Sequence, residues 1–364
     1  MRLLEFELKK LIFSKRFFYT IVLLSALVIG LFVRNVAFQE LMIEEQGKQV
    51  VVYTQEAQSL LRGLNKQVEM DPKDTESAEQ LKHLSRALNA LYEWKPLITS
   101  TDWQARLQFE IDFLSSMLAY KSAGGEFSMN STEMERSFAL NENLLAKGIE
   151  PELENYSTTV PNFMYQITDL YVNLGAILLL LIIAGDLLTS EFEQRSIQFL
   201  FTQPVKKSAI LHSKWISMVL VHLLVTAFLF GLTWLITSLF GKPGTFAYPV
   251  QGTRDSSTFI SIDTYVGSSL IGTSVTILFV ISLILTISLW IKHSMASLLI
   301  TLLLLIGGYF IFGSITEGLN PFAYVFAGNT LKEQGYLQNI PLVISGGLAI
   351  VLYLVALVRM KNIT

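Results

Sequence analysis

Leu178-Leu179-Leu180-Leu181-Ile182-Ile183 is the centre of an apolar block over residues 167–189, whose only charges, Asp169 and Asp186, stand near its ends. A helix needs roughly 20 apolar residues to cross a hydrocarbon core about 30 Å thick, and the block is that long. No water is present at that depth to satisfy backbone N–H and C=O groups, so the segment must be a helix that bonds within itself. A barrel strand would alternate apolar and polar side chains over about ten positions. This block does not alternate.

Five further blocks share the pattern: residues 17–38, 215–240, 266–291, 295–315 and 340–358. The composition agrees, because 51% of the 364 residues are hydrophobic and 16% are charged, against about 25% charged in soluble domains. The expectation is an all-α polytopic membrane protein with six transmembrane helices. The first block follows basic residues, as a signal peptide does, but its apolar run exceeds the about 7–15 residues of a cleaved signal. It reads as an uncleaved first span.

Lysine and arginine in short flanks set orientation. Arg2, Lys9, Lys10, Lys15 and Arg16 precede span one; Arg195, Lys206, Lys207 and Lys214 lie between spans two and three; Lys292 links spans four and five; Arg359 and Lys361 follow span six. With six spans all four groups fall on one side, so both termini are expected in the cytoplasm of a multi-pass cell-membrane protein. The opposite short loops, 241–265 and 316–339, hold only Lys242, Arg254 and Lys332.

Residues 39–166 then form a polar extracellular insert between spans one and two. Its acidic residues cluster at Glu40, Glu44, Glu45, Glu69, Asp71, Asp74, Glu76 and Glu79, and again at Glu150, Glu152 and Glu154. Leu81, Leu84, Leu88 and Leu91 recur at helical spacing. Ser100-Thr101-Asp102 and Asn130-Ser131-Thr132 have the chemistry of helix starts, and Gly124-Gly125 that of a stop. The insert is expected to be several helices with little sheet.

Between spans two and three the chain reads Glu191-Phe192-Glu193-Gln194-Arg195-Ser196-Ile197-Gln198-Phe199-Leu200-Phe201-Thr202-Gln203-Pro204-Val205-Lys206-Lys207-Ser208-Ala209-Ile210-Leu211. Ile197, Leu200 and Phe201 share one helical face, with Arg195, Gln198 and Thr202 elsewhere. Pro204 ends or turns that helix. A second helix, expected to begin near Ser208, carries Lys214 into span three.

This segment resembles the coupling region of type-two ABC exporter permeases. The matching positions are Glu191 and Glu193 after span two, the amphipathic Ile197 and Leu200, the turn Thr202, Pro204-Val205 and Lys206, and Lys214. The family often has Gly-Thr where this chain has Arg195-Ser196, a local departure. The resemblance covers the order of elements along most of the chain. It implies a permease subunit of an exporter, paired with a second permease copy in a homo- or heterodimer, with the path between the copies. It also implies ABC ATPase subunits on the cytoplasmic side, with ATP and Mg in that partner and no cofactor in this chain. Glu191, Glu193, Arg195, Leu200, Thr202, Pro204 and Lys206 are the implied coupling residues, within segment 190–214. The structural alternative is a solvated loop with a membrane-lying helix.

Two other features fit the resemblance. Residues 1–14 place Leu3, Leu4, Phe6, Leu11, Ile12 and Phe13 among Arg2, Glu5, Glu7, Lys9 and Lys10, as an amphipathic helix on membrane lipid would. Residues 316–339 hold Glu317, Asn320-Pro321 and Gly328-Asn329 beside Phe322, Tyr324, Val325 and Phe326, which suits a hairpin dipping back from the outer face. The expected domains are residues 1–38, 39–166 and 167–364.

Ionisable residues near the spans are Arg34, Asp169, Asp186 and His222. Asp186 is expected at the cytoplasmic edge, paired with the coupling region, and His222 as a hydrogen-bonded core residue. Ser274, Thr276, Ser282, Thr286 and Ser288 are placed to bond between helices.

Several chemistries have no residues to carry them. No Gly-x-x-x-x-Gly-Lys-Ser/Thr loop is present, so nothing cradles a nucleotide. The chain has no cysteine, and its four histidines are scattered, so no metal or thiolate site is expected. A net charge of −3 gives no sign of a nucleic-acid partner. A membrane-embedded enzyme would need a catalytic constellation that the sequence does not show. The rival reading is a membrane sensor whose outer domain binds a ligand, which would partner a kinase and not an ATPase.

Overall fold

The computed structural model describes residues 2–153, 155–255, 257–315 and 318–362. Its helices are α1 (Arg2–Ile12), α2 (Lys15–Met70), α3 (Thr75–Trp94), α4 (Trp103–Ser122), α5 (Ser131–Lys147), α6 (Val160–Val172), α7 (Gly175–Ala184), α8 (Thr189–Glu193), α9 (Ser196–Thr202), α10 (Lys207–Phe240), α11 (Ile262–Ile291), α12 (Ser294–Ile315), α13 (Ala327–Gln334) and α14 (Asn339–Lys361). Two short strands, β1 (Pro249–Gln251) and β2 (Phe259–Ser261), lie between α10 and α11. Glu154 of the second acidic cluster, and Thr316 and Glu317 at the start of the expected hairpin, lie outside the described residues.

The chain divides into two compact units. One, the insert unit, comprises Phe32–Asn162 and Gly244–Ile262. Its helices start where short polar side chains take up unsatisfied N–H groups. Asp74 accepts from the Glu76 and Ser77 amides, Asp102 from that of Ala105, and Asn130 from that of Thr132. Gly148, in the left-handed region at φ 64°, closes α5. Leu84, Leu88 and Leu91 of α3 are buried with Phe113, Leu114 and Met117 of α4, and Tyr53 of α2 stacks on Phe113.

The stretch after α10, expected as a plain loop, adds a strand pair to this unit. β1 and β2 pair antiparallel with Val250 opposite Ile260. The Gln251 amide donates to the Arg136 carbonyl at 2.9 Å, tying β1 to α5.

The other, the span unit, comprises Met1–Leu31, Phe163–Pro243 and Asp263–Thr364. Among the described residues six helical segments are long and apolar enough to cross a membrane. The protein is thus an all-α polytopic membrane protein. Two hydroxyls expected to bond between helices do so: Ser282 accepts from the Trp215 indole at 3.1 Å, and Thr286 donates to the Leu352 carbonyl at 3.0 Å.

Two boundaries differ from expectation. No helix end marks residue 38, because α2 continues to Met70. Beyond residue 38 its glycines, Gly47 and Gly63, are isolated and no proline occurs before Pro72, so nothing local stops the helix earlier. The block 167–189 is not one helix either. α6 stops at Val172 and α7 starts at Gly175, with Leu174 at φ 73° between them. The freed backbone finds partners in the expected hairpin. The Leu174 amide donates to the Val325 carbonyl and the Asn329 amide to Asn173 Oδ1, both at 3.1 Å. Such a break beside a span is tolerated where packed protein satisfies its backbone in this way.

Candidate functional site

The segment joining span two to span three folds as two short helices and a turn. α8 ends at Glu193, and Arg195 turns the chain with a left-handed φ of 58° before α9. That conformation costs an L-residue roughly 1–2 kcal/mol and costs glycine little. The glycine common in exporter permeases at this point would suit the same backbone. α9 ends at Thr202 because Pro204 has no amide to offer and forces the preceding residue out of the helical region. Gln203 accordingly has ψ 150°. α10 starts at Lys207 after an extended Lys206.

Behind this turn lies a buried ion cluster. Lys214 Nζ donates to Glu191 Oε1 at 2.6 Å, to Glu7 Oε1 at 3.0 Å and to the Leu187 carbonyl at 3.4 Å. Lys10 Nζ adds a bond to Glu191 Oε1 at 2.9 Å. Glu7 and Lys214 are fully buried. A buried charge is tolerated only when paired and hydrogen-bonded, and two carboxylates against two ammoniums cancel. The cluster joins the amphipathic α1 to α8 and α10 in one piece.

Glu193 faces the other way. Its carboxylate accepts from the Ser294 amide at 2.8 Å and the Ser294 hydroxyl at 2.9 Å, and so caps the N-terminus of α12. The Ser294 hydroxyl also lies 3.0 Å from Thr189 Oγ1. Asp186 pairs with Arg16, at the start of α2, at 2.6 Å. Its partner is therefore not the coupling segment, as the sequence suggested. Together these contacts fix the turn against the starts of α2, α10 and α12.

The turn's outer edge is open. Ile197 is buried and Leu200 and Phe201 are half-buried, with the Lys207 ammonium 4.9 Å over the Phe201 ring. Phe199 is 69% exposed, beside exposed Thr202, Gln203, Pro204, Val205 and Lys206.

The residues selected from sequence thus separate by place. Glu191 points inward to Lys214, Glu193 caps α12, Arg195 makes the turn, and Leu200 backs the helix. Thr202, Pro204 and Lys206 lie on the open edge. Sequence reasoning missed Glu7 and Phe199. Glu7 was findable, because it stands on the same stripe as Leu4 and Leu11, where an acid needs a reason. His222 in α10 is buried against Tyr171, whose hydroxyl lies 3.3 Å from His222 Nδ1.

The geometry defines a class: a helical membrane subunit with a braced turn between its second and third spans and no nucleotide-binding loop in its sequence. The chain belongs to the ABC-2 family transporter proteins, whose family profile matches residues 1–346. It is a transmembrane ABC transporter subunit, and the family implies an ABC ATPase as partner. No curated protein and no solved structure matches the chain.

Proposed function

We propose that this chain is the permease of an ABC exporter, that α9 seats on a separate ATPase, and that two permease copies flank the path. ATP and Mg are held by the ATPase, and this chain hydrolyses no nucleotide itself. The termini and the α8–α10 turn face the cytoplasm, in line with the basic flanks, and residues 39–166 face outward. The observation that carries the reading is the braced turn. Phe199, Thr202, Pro204 and Lys206 are open to a partner, while Glu191 and Glu193 tie the same turn to α1, α10 and α12. A push on the open edge therefore reaches several spans at once.

The test reconstitutes the chain with a candidate ABC ATPase partner. A stable complex is expected, with ATP hydrolysis absent from the chain alone. Replacing Glu193 by Gln, or Pro204 by Ala, should leave hydrolysis in the complex but uncouple it from transport. Normal transport in both variants would refute the coupling role, and capture of a kinase in place of an ATPase would favour a sensor.

A further inference from the structure

At the end of the span unit opposite the α8–α10 turn in the six-span reading, α6 with Asn173 just after it, α11 and α13 bring four side chains to one point. Asp169 Oδ1 accepts from the Tyr265 hydroxyl at 2.5 Å, the Lys332 ammonium at 2.8 Å and the Asn173 amide at 3.0 Å. The Lys332 ammonium also lies 5.2 Å from the Tyr165 ring centre and 5.7 Å from that of Tyr265. The two rings meet edge to face at 5.0 Å. Gly328 presses bare backbone into this group, and a Cβ there would strike Tyr265, Asn173 and Asp169.

Two aromatic faces and a carboxylate around a cation are how proteins recognise alkylammonium groups. Here the cation is the chain's own Lys332. Burial opposes its charge, but Tyr165 and Asp169 outweigh that and hold the ammonium above the usual lysine range. Tyr265 and Asn173 would still satisfy Asp169 if Lys332 left, so the cage does not depend on its occupant. Tyr165 and Tyr265 are buried, and the side chains of Asp169 and Lys332, 31% and 15% exposed, are where the site meets its surroundings. α13, which supplies Lys332, belongs to the segment that stitches the α6–α7 break through Val325 and Asn329.

We propose that Tyr165, Tyr265 and Asp169 form a binding site for the alkylammonium group of a transported substrate, and that Lys332 is its internal competitor. A substrate amine that displaces Lys332 also loosens α13 from the break between α6 and α7. The link to transport rests on the exporter reading; the binding itself does not.

The probe is tetramethylammonium chloride, compared with sodium chloride at equal ionic strength, on the full chain in lipid nanodiscs. Lysine acylation is followed residue by residue by mass spectrometry. Tetramethylammonium should speed acylation of Lys332 several-fold and leave the exposed Lys66 unchanged. Lys332→Met, freed of the competitor, should gain thermal stability from tetramethylammonium over sodium, and Asp169→Asn added to it should abolish that gain. Equal Lys332 acylation in the two salts overturns the proposal. So does a gain that survives Asp169→Asn. If Lys332→Met fails to fold, the wild-type acylation decides alone. Neither measurement involves an ATPase, so its outcome is separate from that of the complex-formation test.

Discussion

Lys214 holds a full positive charge out of water between glutamates that come from opposite sides of the insert. Removing one member of a buried ion pair costs about 3–5 kcal/mol, because the other is left uncompensated. Lys214→Met should therefore lower the thermal midpoint of the full chain and open α1 to protease. Removing all the charge with Glu7→Gln, Glu191→Gln and Lys214→Met together should recover most of the loss. Equal instability of the single and triple variants would show that packing, not charge, holds α1. Asp74 acts at the same scale in the insert unit. Its bonds from the Ser77 hydroxyl, and the Ser77 and Glu76 amides, hold its carboxyl below the ordinary value of 3.8. A depressed carboxyl stabilises the folded state above its unfolded pKa and loses that contribution as pH falls through the folded one. Protection of the Glu76 and Ser77 amides from hydrogen exchange should thus weaken as pH drops below 3.8. Asp74→Asn, which keeps a capping oxygen without the titration, should flatten that dependence.

At the scale of elements, α9 is one short helix with one open face and one packed face. Phe199 offers an exposed aromatic side chain, the kind that anchors interfaces, where truncation costs more than about 1 kcal/mol. Leu200 packs inward. Phe199→Ala should weaken association with the ATPase by about fivefold or more, with the thermal midpoint unchanged. Leu200→Ala should lower the midpoint first. The reverse pattern, read by affinity capture and melting, would turn the docking face around. These elements were partly legible in sequence. Pro204, Asp102 and Asn130 act through their own backbone neighbours, so the boundaries beside them could be read. The α6–α7 break could not, because its partners, Val325 and Asn329, are remote in the chain and the apolar run around Leu178 continues past the break. The Glu7–Lys214 contact was hidden for the same reason. The acid on the α1 stripe asked for a cation without saying which.

The whole molecule is two bodies threaded by one chain, and the sequence shows this only in part. Residues 39–166 announce themselves by polarity, whereas the β1–β2 segment, too short to show a pattern, joins the insert unit through Gln251 and Arg136. Each unit has its own interior, the insert unit's being the cluster around Leu84, Leu91, Phe113 and Met117. Domains with separate cores unfold separately unless a large apolar interface joins them. Leu91 is fully buried, and Leu→Ala at such a site costs about 2–5 kcal/mol. Leu91→Ala should therefore move only the first of two urea transitions, the one reported by Trp94, which packs on Phe113. Hydrocarbon-embedded helices, with their backbone bonds shielded from water, should resist urea longer. ATPase association should survive the substitution, because the α8–α10 turn is braced within the span unit alone. A parallel shift of both transitions, or loss of the complex, would mean that the insert unit is part of the coupling machinery and not a separately folded body.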